Sequence, residues 1–98
     1  MITKDEILAL LEVELPFLRR IYQVRKIGLF GSYARNEQEE ESNVDLLIDF
    51  EKPISFFRLF KLEDYLSKKL GNKVEIITFG ALKELMTPTI VRDVIYAE

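Results

Sequence analysis

Leu29-Phe30-Gly31-Ser32-Tyr33-Ala34-Arg35 and, beyond a polar acidic loop from Asn36 to Ser42, Asn43-Val44-Asp45-Leu46-Leu47-Ile48-Asp49-Phe50 are the two stretches that decide the fold. Val24 to Phe30 reads as a strand running into Gly31-Ser32, a natural sharp turn, with a short helix carrying Tyr33, Ala34 and Arg35 expected behind it. Val44 to Phe50 reads as a second strand, and its unbroken Leu46-Leu47-Ile48 implies burial on both faces. A glycine directly after a strand lets backbone approach a phosphate closely. A helix start behind it would add free N–H groups and a positive dipole end. Ser32 adds a hydroxyl donor, and Arg35, about one helical turn on, can pair with the same phosphates or with a nearby carboxylate. Asn43 and Asp45 are two apart on a strand, so both point to one face and can aim at one metal ion. Magnesium takes carboxylate, water and phosphate oxygens, which makes this pair beside a triphosphate a coherent cage.

Lys73 to Thr78 reads as a third strand, with Glu75 set among Val74, Ile76 and Ile77. A lone acid there is costly to bury unless it meets a partner or a metal, and a metal shared with Asp45 would supply one. An ion pair of Glu75 with Arg35 or a lysine is the structural alternative. Asp49 shares the alternation face of Asp45 but lies at the strand's far end, where a salt bridge is expected.

The rest of the chain reads as cover for these strands. Thr3-Lys4-Asp5-Glu6 has the capping-box form, and Ile7, Leu8, Leu11 and Leu15 follow at helical spacing. Pro16 is expected to end that helix near Glu14 and to open a short second one through Phe17, Leu18 and Ile21. After Pro53, Ser55 can cap a long helix with Phe56, Leu59, Phe60, Glu63, Leu66 and Leu70 near one face and Gly71 as its C-terminal cap. The Phe56, Phe57 and Phe60 cluster is expected mostly in the core, with Phe57 off the main stripe. Ala81 to Met86 reads as a helix, Thr87-Pro88 interrupts, and Thr89 to Tyr96 closes the chain. The order is helices, strand, strand, helix, strand, helices. It predicts an α+β fold with a small mixed sheet flanked by helices, in one domain over residues 1–98.

Composition narrows the chemistry. The 98 residues hold no cysteine and no histidine, which excludes disulfides, the usual zinc sites and any histidine-dependent triad. A net charge of −3 argues against broad binding to nucleic-acid backbone, though not against one nucleotide held by a few placed groups. No apolar run approaches the ~20 residues of a membrane span. The expectation is a cytoplasmic protein, with self-association left open.

Gly31-Ser32, ten intervening residues, then Asn43-Val44-Asp45 resembles the Gly-Ser … Asp-x-Asp signature of the nucleotidyltransferase superfamily of the DNA polymerase β type. The chain as a whole, through the Val74 to Thr78 strand, is similar to the minimal nucleotidyltransferases. That resemblance implies Gly31 and Ser32 on the triphosphate of ATP, and two magnesium ions held by Asn43, Asp45 and Glu75. It implies transfer of AMP to a tyrosine of a HEPN-domain toxin, with this chain as the antitoxin. Two residues depart from the family pattern: Asn43 stands where the first metal-binding aspartate is expected, and Glu75 where the third carboxylate is usually aspartate. Asn43 removes one negative charge from the place where two dications should sit, and should weaken the second ion most. The rival expectation is therefore a catalytically weakened antitoxin that neutralises its HEPN partner by binding alone.

Overall fold

β1 (Val24–Phe30) and β2 (Val44–Phe50) are the two central strands, and they pair antiparallel with Leu29 opposite Leu46 and Phe30 opposite Asp45. β3 (Val74–Thr78) lies parallel to β2, with Val44 opposite Val74 and Asp45 opposite Glu75. A short β4 (Ile95–Tyr96) pairs antiparallel with the other side of β1, giving a mixed sheet of order β3-β2-β1-β4. The computed structural model describes residues 2–81 and 88–98. Its remaining elements are α1 (Lys4–Tyr22), α2 (Phe56–Leu70) and α3 (Pro88–Asp93). Among the described residues, no helix is long and apolar enough to cross a membrane.

Two helices supply most of the core cover. Ile7, Leu11, Leu15 and Leu18 of α1 and Leu62, Leu66 and Leu70 of α2 join one cluster with Ile27, Leu29, Val44, Leu46, Ile48 and Val74. On β2, Leu46 and Ile48 therefore face the helices, and alternation turns Asp45, Leu47 and Asp49 to the other face. Leu47 is nonetheless buried, so the expected burial on both faces of the Leu46-Leu47-Ile48 run is met.

α1 corrects the expectation of two helices. The capping box forms: the Glu6 amide donates to Thr3 Oγ1 at 3.2 Å and the Thr3 amide to Glu6 Oε1 at 3.1 Å. The helix then runs through Pro16 to Tyr22 and ends at Gln23 in the left-handed region. An interior proline costs about 3 kcal/mol. Breaking the helix at Glu14 would take Leu15 and Leu18 off the sheet, and burying each leucine is worth about 1.5–3 kcal/mol. Glu12 and Pro16 both lie on the exposed side, so water can serve the carbonyl that proline leaves without a donor.

α2 corrects a second expectation. Its buried stripe is Leu62, Leu66 and Leu70, whereas Phe56, Phe57 and Phe60 are exposed. Of the three phenylalanines, the structure agrees with the sequence only on Phe57. The same helix also protects the open edge of β3: Ser67 Oγ accepts the Val74 amide and Glu63 Oε2 accepts the Ile76 amide, each at 2.9 Å.

The end of the chain holds a strand that the sequence did not announce. Residues 95–96 are strand, and Gly28 on β1 is shaped for it, because a Cβ there would meet Val94 Cγ1 at 2.6 Å. The expected helix from Ala81 to Met86 lies outside the described residues except for Ala81, where a helical turn begun at residue 79 is in place.

Candidate functional site

The site is assembled where the ends of three strands meet. Gly31 follows β1 with φ +79°, a conformation side chains disfavour, and a Cβ there would overlap the Asp45 carboxylate. The glycine is thus required twice, by its backbone and by the acid lying over it. Register explains the proximity, because Phe30 pairs with Asp45 across β1 and β2.

Behind Gly31 the backbone winds through one turn and stops, so the expected short helix is absent. The Arg35 amide donates to Gly31 O at 3.2 Å, Asn36 to Tyr33 O at 3.3 Å, and Glu37 to Ser32 O at 2.8 Å. Asn36 then takes φ 57°, which ends the winding. No helix dipole stands behind the turn. Its anion-binding capacity rests on the amides of Ser32, Tyr33 and Ala34, which have no acceptor within the turn, and on the Ser32 hydroxyl. The turn is anchored from below: Tyr33 is fully buried, and Asn72 Nδ2, just past α2, donates to its hydroxyl at 2.9 Å.

Asp45 and Glu75 are register partners on parallel strands, which places both carboxylates on one face. Burial pushes the Asp45 carboxyl above its ordinary value, the Glu75 charge adds to this, and Arg35 opposes it. Asn43 stands beside them and donates Nδ2 to Glu75 Oε1 at 2.9 Å. An ionised carboxylate only accepts, so the amide nitrogen must face Glu75 and Oδ1 must face away from it. Glu75 is exposed, so the expected cost of burying it does not arise, and among the described residues its hydrogen-bond partner is Asn43 rather than Arg35 or a lysine.

This donor set can be tested against the magnesium that the resemblance implies. Asp45 and Glu75 offer two charged ligands, enough for one ion whose shell is completed by nucleotide oxygens and water. Asn43 brings a neutral oxygen and spends its donor on Glu75. Among the described residues, no three acidic side chains converge as a metal group. The described residues therefore suit one divalent ion and fall a carboxylate short of a cage for two.

Arg35 lies at the mouth of the turn, with Nη1 donating to Asp93 Oδ2 at 3.1 Å and Nε to Glu37 Oε2 at 3.4 Å. The Asp93 bond, ahead of the one to Glu37, raises its pKa. Of the two partners that the sequence reading offered Arg35, phosphate or carboxylate, the structure displays carboxylates. Asp93 escaped that reading, because only the pairing of β4 with β1 brings it near. Asp49 is paired with Arg25 at 3.5 Å, the salt bridge expected of it.

A separate cavity of about 700 Å³ opens at the other end of β2 and β3, lined by Ile48, Phe50, Ile54, Leu59, Ile77 and Phe79 among others. None of the site residues above lines it.

The "Nucleotidyltransferase domain" family model matches residues 14–97 of the chain. The chain is 41% identical over 96 residues to the protein adenylyltransferase MntA of Thermococcus cleftensis, covering 98% of this chain and 97% of that protein. It is 43% identical over 95 residues to a putative protein adenylyltransferase of Methanocaldococcus jannaschii, covering 96% and 97%. Among solved structures, a putative minimal nucleotidyltransferase superposes with a TM-score of 0.79 at 28% identity, over 96% of this chain and 95% of that one. A toxin–antitoxin structure with AMP-PNP shares the fold, with a TM-score of 0.73 at 20% identity over 89% and 72% of the two chains.

Proposed function

Because the chain belongs to the nucleotidyltransferase domain family, we propose that it moves AMP from magnesium-ATP to a tyrosine hydroxyl of a HEPN-family toxin and acts as that toxin's antitoxin. The observation that carries this reading is the Asp45 carboxylate lying over Gly31, with Glu75 beside it in register. On this reading the turn that takes the phosphates lies against the pair of carboxylates that would take the metal. The relative named MntA is a protein adenylyltransferase, and a chain of the same fold was solved with AMP-PNP in a toxin–antitoxin structure.

The residues divide the work by position. The free amides of the Gly31–Ser32 turn and the Ser32 hydroxyl bind the β and γ phosphates, and Arg35 adds a cationic contact at the mouth. Asp45 and Glu75 would hold magnesium, with the Asn43 oxygen as a neutral third ligand. When bound, the metal supplies charge neutralisation at the triphosphate and orientation of the attacking oxygen. The tyrosine oxygen then bonds to the α phosphorus, the bond from that phosphorus to the bridging oxygen breaks, pyrophosphate leaves, and water takes the hydroxyl proton. This dependence on ATP fits a cytoplasmic protein.

Asn43 favours a second reading, in which the chain neutralises its partner by complex formation alone. Intact-mass measurement of a HEPN partner incubated with this protein and magnesium-ATP separates the two. The transfer reading expects the partner to gain the mass of AMP, with Asn43→Asp increasing the rate. No gain with either protein, together with inhibition of the partner in the absence of ATP, would establish the binding reading instead.

A further inference from the structure

We propose that Asp93 is a positioning residue, which holds the Arg35 guanidinium at the mouth of the Gly31–Ser32 turn with its unused N–H groups open to a nucleotide phosphate. The inference rests on the turn being the triphosphate site.

The end of α3 brings this carboxylate in. Gly28 pairs with Tyr96 and Leu29 with Ile95, so β4 lies along the part of β1 nearest the turn, and the residue that closes α3, Asp93, reaches Arg35 beside the Gly31 turn. On the other side of β1, Phe30 pairs with Asp45. The turn is therefore flanked by one carboxylate from each side: Asp45 lies over the glycine, and Asp93 takes the arginine.

The two acids bound to Arg35 are not equivalent. The Asp93 side chain is 16% exposed and its bond is 3.1 Å, whereas Glu37 is 65% exposed at 3.4 Å. A solvated partner constrains little, so Asp93 sets the orientation. Arg92 stands 3.9 Å from the second Asp93 oxygen, beyond hydrogen-bond length, and does not replace Arg35 there. A guanidinium has five N–H donors in a rigid fork, and among the described residues these two contacts leave the Nη2 pair without an acceptor.

Asp93 also prevents a competing arrangement. The Arg35 charge already acts on Asp45. A guanidinium free to move would close on that carboxylate and crowd the Ser32, Tyr33 and Ala34 amides that a phosphate needs. Held by Asp93, it stays to one side as a second wall of the site.

Calorimetric titration of magnesium-AMP-PNP into the wild-type chain, Asp93→Asn, Arg35→Ala and the double variant tests this. Asp93→Asn should weaken binding about tenfold, Arg35→Ala by at least as much, and the double variant no further than Arg35→Ala alone. Asp93→Glu, which keeps the charge, should recover most of the loss. A carboxylate acting only as a tether for the chain end would lower the melting temperature and leave affinity unchanged, and that result overturns the proposal. So does a double variant weakened by the product of the single effects. If wild-type protein binds no nucleotide, it is the triphosphate reading of the turn that fails, and the proposal falls with it.

Discussion

The two ends of the β2–β3 pair are built from the same two strands yet are opposites. At one end Asn43, Asp45 and Glu75 gather against a glycine turn, with an acid whose burial raises its pKa. At the other, Ile48, Phe50 and Ile77 line an apolar cavity, and Phe56 and Phe60 stand exposed close by. At the polar end Asp45 is held where burial works against its charge, a pattern that marks candidate functional groups. The apolar end offers space and little chemistry: its cavity of about 700 Å³ is lined mainly by apolar side chains. The candidate site stands on convergent polar chemistry rather than on concavity.

The sharpest way to break this contrast is Asp45→Asn. Loss of the charged ligand should cut AMP transfer about 10²–10³-fold, as removal of a preorganised electrostatic group does elsewhere. Stability should move the other way. A carboxyl whose folded pKa is raised binds its proton more tightly when folded, so the wild-type chain loses stability as pH climbs from the ordinary carboxylate value through the raised one. The amide carries no such penalty. Thermal melts without metal should therefore show Asp45→Asn melting above wild type at pH 7, with the gap shrinking as pH falls through the carboxylate range. An equal or lower melting temperature at pH 7 would mean that Asp45 is structural and that the contrast between the ends is wrong.

A second test addresses the two halves of α2. Leu62→Ala removes a fully buried side chain and should cost about 2–5 kcal/mol in urea unfolding. Phe60→Ala removes a larger group that is 71% exposed and should change stability by no more than about 0.5 kcal/mol. A cost above about 1.5 kcal/mol at Phe60 would show that the aromatic face is covered in the protein as it exists in solution.

What the sequence could and could not convey follows from the range of each signal. The strands around Gly31 and Asp45 were legible because an apolar run and the Gly-Ser turn are local signals; Asn43 lies one residue before β2 yet still reaches Glu75, the register partner of Asp45. Pro16 misled because a local penalty of about 3 kcal/mol was weighed without the burial of Leu15 and Leu18 on its two sides. The phenylalanines of α2 misled for the converse reason. Phe56 and Phe60 fit a helical stripe, but the helix is turned so that Leu62, Leu66 and Leu70 meet the sheet, and rotation about the axis is a tertiary fact. Asp93 was invisible because a two-residue strand has no periodicity to read, yet its pairing with β1 decides where the Arg35 partner lies.

A smaller loss than that at Leu62 is expected at the contact between the helices that back the sheet. The Tyr65 hydroxyl on α2 donates to Glu14 Oε1 on α1, and its ring stacks on Phe17 with centroids 5.2 Å apart. The bond to Glu14, ahead of burial, pushes the Tyr65 pKa to about 12. In the unfolded chain the phenol loses its proton near pH 10. Between those values the folded chain holds the extra proton, so this contact stabilises fully below pH 10 and is lost as pH rises toward 12. Tyr65→Phe keeps the stacked ring and removes the hydroxyl. At pH 8 it should cost about 0.5–1 kcal/mol, the net value of a partly solvated hydrogen bond to a charged acceptor. In denaturant unfolding repeated across the alkaline range, the variant should lose less stability than wild type between pH 10 and 11.5, so the two curves converge. Curves that stay parallel would show that the Glu14–Tyr65 bond contributes nothing in solution, leaving the α1–α2 contact to packing alone.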